Sequence, residues 1–160
     1  MLNVTLICVG KMREKHYIAA FQEYEKRLGA FCRFTLTELA EQRLPERPTE
    51  KEIDAALEKE ARAILEHVPK GAALITMCVE GQSLSSEALA ERFTAWQNSG
   101  ASRLCFVVGG SFGLHERVKR ASQLRLSMSA MTFPHHLARV MLMEQIYRAC
   151  TINAGTQYHK

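Results

Sequence analysis

Five short apolar runs alternate with five longer segments of helical period along the 160 residues. The run at 104–108, Leu-Cys-Phe-Val-Val, has no polar side chain, and residues 2–9 alternate before turning apolar. A strand that is apolar on both faces must be covered on both, as in parallel sheets packed between helices. Further strands are expected at 32–39, 72–79 and 124–128, and the run at 104–108 extends back to Arg103. Between them, Tyr17, Phe21, Tyr24 and Leu28 recur on one helical face in a helix expected over 12–28. Thr49 and Glu52 have the spacing of a capping box and open a helix reaching about His67. Ser85 or Ser86 caps a helix to about Asn98, and a short helix starts near His115. Pro134 suits the first turn of a last helix that ends near Asn153. The fold class is α/β: a mostly parallel sheet flanked by helices, in one domain over 1–160.

The last helix is apolar almost all round, through Leu137, Val140, Leu142, Met143, Ile146 and Cys150. Such a helix is covered on more than one side, by the sheet and, we expect, by a second copy in a homodimer. No run reaches the roughly 20 apolar residues of a membrane span, so no membrane partner is expected. The first ten residues lack the basic flank and small-residue cleavage site of a leader and read as a buried strand. Five unpaired cysteines without a C-x-x-C motif suggest reduced thiols in a cytoplasmic protein and no zinc. Charge is uneven: residues 1–99 hold 13 basic and 15 acidic side chains, residues 100–160 hold 8 and 2. The basic C-terminal part is the footprint of a polyanion-binding face, with Lys119, Arg120 and Arg125 as candidate phosphate contacts.

Ligands of open α/β sheets sit beyond the carboxyl ends of the strands. Three segments qualify: Glu80-Gly81, Gly109 to Gly113, and Ser129 to Phe133. At Gly109 and Gly110 the missing side chains admit a ligand to the backbone or simply close a tight turn. A dinucleotide site is disfavoured, because the glycines read G-G-x-x-G and no Asp or Glu lies between Glu116 and Glu144. No P-loop string occurs. Asp54 is the only aspartate, no H-E-x-x-H exists, and adjacent His135 and His136 point about 100° apart on a helix, so no metal site is expected. Residues 109–113 also match the G-x-S-x-G of a hydrolase elbow around Ser111, with Glu144 and His159 as the only ordered partners.

Several strings then occur in order: Gly10-Lys11; Glu23-Tyr24-Glu25-Lys26-Arg27-Leu28; Gly109-Gly110-Ser111-Phe112-Gly113-Leu114; and Leu126 to His135 leading into Arg139-Val140 and Glu144-Gln145-Ile146-Tyr147-Arg148-Ala149; with Tyr158-His159-Lys160 at the end. Together they resemble the SPOUT-superfamily methyltransferases of the RlmH type, over the whole chain. The resemblance implies a C-terminal trefoil knot, a homodimer, and S-adenosylmethionine as cofactor. It implies methylation of N3 of a pseudouridine in 23S ribosomal RNA, on the large subunit near the subunit interface of the assembled ribosome. Its cofactor pocket maps onto Met77, Gly109, Met128, Ser129, Ala130, Met131, Thr132 and Phe133. Arg139 is then the candidate cation beside the base or on a phosphate. Tyr158 and His159 are candidates for orienting the base or taking its proton. A relative acting on tRNA, a non-catalytic RNA-binding protein and a Ser111 hydrolase are the competing readings.

Overall fold

The computed structural model describes residues 1–159, the side chain of His159 excepted. Its elements are β1 (Leu2–Val9), α1 (Lys15–Leu28), β2 (Cys32–Leu39), α2 (Glu50–His67), β3 (Ala73–Ser83), α3 (Ser86–Asn98), β4 (Arg103–Val108), α4 (Glu116–Ala121), β5 (Leu124–Ser127) and α5 (His135–Asn153). A single 3-10 turn, Gln157–His159, follows. The strands form one sheet in the order β2-β1-β4-β3-β5, with every pairing parallel. Strand β4, apolar from Leu104 to Val108, is therefore central, as that run requires.

The pleat of each strand divides its side chains between two cores. On one face, Leu104, Phe106 and Val108 of β4 pack with Phe21 and Leu28 of α1, Phe93 of α3, and Leu142 and Ile146 of α5. On the other, Cys105 and Val107 pack with Ala61 and Ile64 of α2 and Val118 of α4. Helix α5 runs between α1 and α3 over the first face. That placement covers it on three sides and accounts for most of its apolar circumference, leaving Leu137 and Met141 half-buried outside both cores. All five cysteines are buried free thiols. Among the described residues no helix is long and apolar enough to cross a membrane.

Helix α2 begins with the capping box expected from sequence: Thr49 Oγ1 accepts from the Glu52 amide at 3.2 Å, and Glu52 Oε1 accepts from the Thr49 amide at 3.2 Å. Ser85 caps α3, accepting from the Ala88 amide at 3.1 Å.

Three local expectations change. Helix α1 starts at Lys15, not Met12, because the Met12 amide donates to Glu38 Oε2 at 3.0 Å and holds that segment out as a loop. Pro134 is the N-cap of α5 with ψ 137°, one residue outside its first turn. Strand β3 does not stop at Val79. It runs to Ser83 through an irregularity in which Met77 and Gln82 both face Leu126 of β5. Glu80-Gly81 is thus part of a bulged strand rather than a loop. A Cβ on Gly81 would lie 2.8 Å from the Arg125 carbonyl carbon and oxygen, so glycine is what lets the two strands approach.

Candidate active site

The carboxyl ends of β3, β4 and β5 open onto one small cleft of about 160 Å³, at the place where open α/β sheets bind their ligands. Met77 comes from β3 and Gly109 and Gly110 from the end of β4. Met128, Ser129, Met131, Thr132 and Phe133 come from the β5–α5 loop. Of the eight residues expected to hold a cofactor, seven line this cleft. Ala130 lies in the same loop but is not among the lining residues.

Two hydrogen bonds shape that loop before any ligand arrives. The Ser127 hydroxyl donates to the Ser129 carbonyl at 3.1 Å, and the Ser129 hydroxyl accepts from the Met131 amide at 3.0 Å. The outcome at the glycines favours turn closure. A Cβ on Gly109 would sit 2.5 Å from the Gly113 carbonyl oxygen, and one on Gly110 would sit 2.6 Å from Glu41 Oε1. Here the chain itself fills the space that glycine leaves.

Most of the wall is apolar, and no Lys, Arg, Asp or Glu lines it among the described residues. Val79 is 61% exposed and Met131 73%, and with Met1 and Phe112, which lie outside the cleft, they are the exposed large apolar side chains among the described residues. Exposed apolar groups gathered at one cleft mark a binding surface. This lining fits S-adenosylmethionine. Met77, Met128 and Phe133 would give apolar walls for a purine, loop backbone groups would give polar contacts, and a sulfonium would face no Lys or Arg side chain. The lining does not suit a dinucleotide, since no carboxylate is there to hold a ribose.

Arg139 stands elsewhere than expected. Its guanidinium is buried and committed to the chain: one terminal nitrogen donates to Glu38 Oε2 at 3.0 Å, and the other to the carbonyls of Val9 at 3.0 Å and Gly10 at 2.7 Å. It ties α5 to the ends of β1 and β2 and is not presented to a phosphate. Its Nε is buried without a partner. Tyr158 lies outside the cleft. Its hydroxyl donates to Glu144 Oε2 at 2.9 Å, its ring packs edge-on against Tyr147, and the Arg148 guanidinium covers it at 4.9 Å. Burial, then the Glu144 carboxylate, push its phenol above the ordinary range. The side chain of His159 lies outside the described residues.

Glu144 also binds Arg148 at 2.7 Å, so it is occupied on α5 and does not reach Ser111 as a hydrolase triad would need. Of the basic residues expected to meet phosphate, Lys119 pairs with Glu80 and Arg125 with Glu116, while Arg120 is exposed. Among the described residues no group of His, Cys, Asp and Glu could hold a metal ion.

A second, more polar cleft adjoins the first, and sequence reasoning missed it. Lys11, Arg13 and Glu14 line it from the segment after β1, Glu38, Glu41 and Arg43 from the end of β2 and beyond. His135 and His136 close it from the start of α5. The Gly10-Lys11 string hinted at it, as did the adjacent His135 and His136, which the sequence reads first as structural at a helix start and only second as RNA contacts. These segments meet because β1 and β2 are neighbours in the sheet, which no local pattern reveals.

The parallel sheet brings three strand ends and the β5–α5 loop together around an apolar cleft, and comparison with known proteins gives the class. The family model described as "Predicted SPOUT methyltransferase" matches residues 2–159, and the chain belongs to that SPOUT methyltransferase family. A protein of Bifidobacterium animalis subsp. lactis named ribosomal RNA large subunit methyltransferase H is 45% identical over 159 residues, 99% of this chain and 100% of its own length. A relative from Methanococcus maripaludis is 42% identical over the same shares of both chains. The solved structure of a "probable methylase family protein" from Haemophilus influenzae Rd KW20 matches 99% of this chain and 70% of its own, with a TM-score of 0.51 and 13% identity, a likeness of fold.

Proposed function

We propose that this chain transfers a methyl group from S-adenosylmethionine to N3 of a pseudouridine in 23S ribosomal RNA. It works as a cytoplasmic homodimer on the large subunit of the assembled ribosome, near the subunit interface. The observation that carries the reading is the cleft at the ends of β3, β4 and β5, apolar and free of charged side chains, in a chain that matches a ribosomal RNA methyltransferase end to end. Leu137 and Met141 of α5 are half-buried and belong to neither core, which supports a second copy on that flank. The reading carries with it the knotted C-terminal arrangement of the family.

The bound cofactor supplies an electrophilic methyl group on sulfur. The chain's own residues do the rest. Met77, Met128 and Phe133 hold the cofactor and exclude water. The braced 128–133 loop, with Ala130 and Thr132, fixes its orientation, and orientation supplies much of the rate in an in-line displacement. Arg139 acts as a positioning residue through Gly10 and Glu38. Tyr158, held on Glu144 outside the cleft, braces the end of α5, and His159 is assigned to orienting the target base.

Purified protein is incubated with labelled S-adenosylmethionine and free large subunits, assembled ribosomes or bulk tRNA. Label on assembled ribosomes, mapped to a pseudouridine of 23S RNA, is the expected result. Label confined to tRNA would refute the substrate, and cofactor binding without any transfer would refute the enzyme.

A further inference from the structure

The proposed function leaves the polar cleft beside the cofactor cleft unexplained. Its three carboxylates are already engaged. Glu38 accepts from Arg139 and from the Met12 amide, Glu41 accepts from the Ser111 amide at 3.0 Å, and Glu14 holds the His136 ring at 2.7 Å. Its three long cations differ: Lys11, Arg13 and Arg43 are exposed and form no ion pair among the described residues. The acids are thus fixed in the frame, and the cations stand free at the edge. That is an arrangement for an anion that extends across the rim, such as a nucleic-acid backbone. One side chain lines both clefts. His135 belongs to the wall of the cofactor cleft and of the polar cleft, and its ring has no hydrogen-bond partner among the described residues.

We infer that the polar cleft receives the RNA strand at the nucleotide to be methylated, with Lys11, Arg13 and Arg43 on its phosphates and His135 at the N3–H of the base. This rests on the methyl transfer proposed above. The N3 proton passes to a ring nitrogen of His135. The electron pair left on N3 forms the new N–C bond as the C–S bond breaks onto sulfur, and the imidazolium then releases its proton to water. The groups facing His135 suit a proton acceptor. Burial first, then His136 and Arg139 of α5, lower its pKa and keep the ring neutral, while Glu41 beyond β2 and Glu14 before α1 act the other way. A neutral imidazole near physiological pH can accept a proton.

The test uses the full chain and purified ribosomes. The combined Lys11→Ala, Arg13→Ala and Arg43→Ala variant should bind ribosomes at least about tenfold more weakly. Its salt dependence should be shallower by about 2–3, as for the loss of three phosphate contacts at roughly 0.7–0.9 each. Its S-adenosylmethionine affinity, read by calorimetry, should stay as in the parent. An Arg117→Ala variant of α4, a helix that packs on the other face of the sheet from α5, should bind ribosomes like the parent. The His135→Gln variant, with His135→Asn as a second form, should bind ribosomes normally but transfer methyl at a rate that rises steadily with hydroxide instead of reaching a plateau. Unchanged affinity and salt slope in the triple variant, loss in the α4 variant instead, or a parental pH profile in both His135 variants each overturn the inference. A parent protein that methylates no ribosomal particle removes the proposed function itself, and this inference with it.

Discussion

Replacing Arg139 by Met removes the cation and its hydrogen bonds while keeping most of the side-chain volume. Three bonds are lost: to Glu38 at 3.0 Å, to the Val9 carbonyl at 3.0 Å and to the Gly10 carbonyl at 2.7 Å. A buried acceptor stripped of its donor costs about 1–3 kcal/mol. Two features reduce the sum. The Glu38 side chain is 27% exposed and keeps the Met12 amide, and the variant also relieves the unpartnered Nε. A net loss of about 3 kcal/mol remains, at the low end for breaking a buried pair. Unfolding entropy near 2.1 cal/mol/K per residue, over 160 residues, converts this to a fall in melting temperature of about 9 °C. Scanning calorimetry at one protein concentration reads it. Methyl transfer well below the melt should also fall, because Gly10 and Lys11 lose their anchor. A variant that melts within about 2 °C of the parent and yet transfers no methyl would refute this account. The guanidinium would then act on the substrate directly.

Gly109→Ala should destabilise the chain by about 1–3 kcal/mol and weaken cofactor binding together, since its Cβ would fall 2.5 Å from the Gly113 oxygen; a melt and a calorimetric titration like the parent's would contradict the turn-closure reading. Met131→Ser should leave stability within about 0.5 kcal/mol, because the side chain is 73% exposed, but weaken S-adenosylmethionine roughly fivefold through lost apolar contact; unchanged affinity would remove Met131 from the site. Burial, then the Glu144 carboxylate, push the Tyr24 phenol up to about 12, against about 10 when unfolded. Its contribution to stability is therefore complete below pH of about 10 and is lost as pH rises toward about 12. Phenolate absorbance should show a late step that Tyr24→Phe diminishes, and an unaltered late step in that variant would count against the cluster.

How far the chain could be read without its fold differs from element to element. The apolar run at 104–108 announced a strand covered on both faces. Thr49 and Glu52 announced the start of α2, and Ser129 to Phe133 announced a loop at a strand end. Each of these depends on neighbours a few residues away, over which propensity, capping and periodicity act. The cofactor cleft was legible because its three segments end strands, and parallel strands bring their carboxyl ends to one edge. The role of Arg139 was not legible. Its partners lie 101 to 130 residues away, and their approach depends on α5 settling between α1 and α3. The bulge pairing Met77 and Gln82 with Leu126, the seating of Tyr158 on Glu144, and the meeting of Lys11, Arg43 and His135 at one cleft share that origin. By itself the sequence determined which segments become strands and helices, because those choices are local. The tertiary structure alone decided which side chains share a cleft and which are consumed as braces, because sheet order and the closing of two cores bring distant segments together.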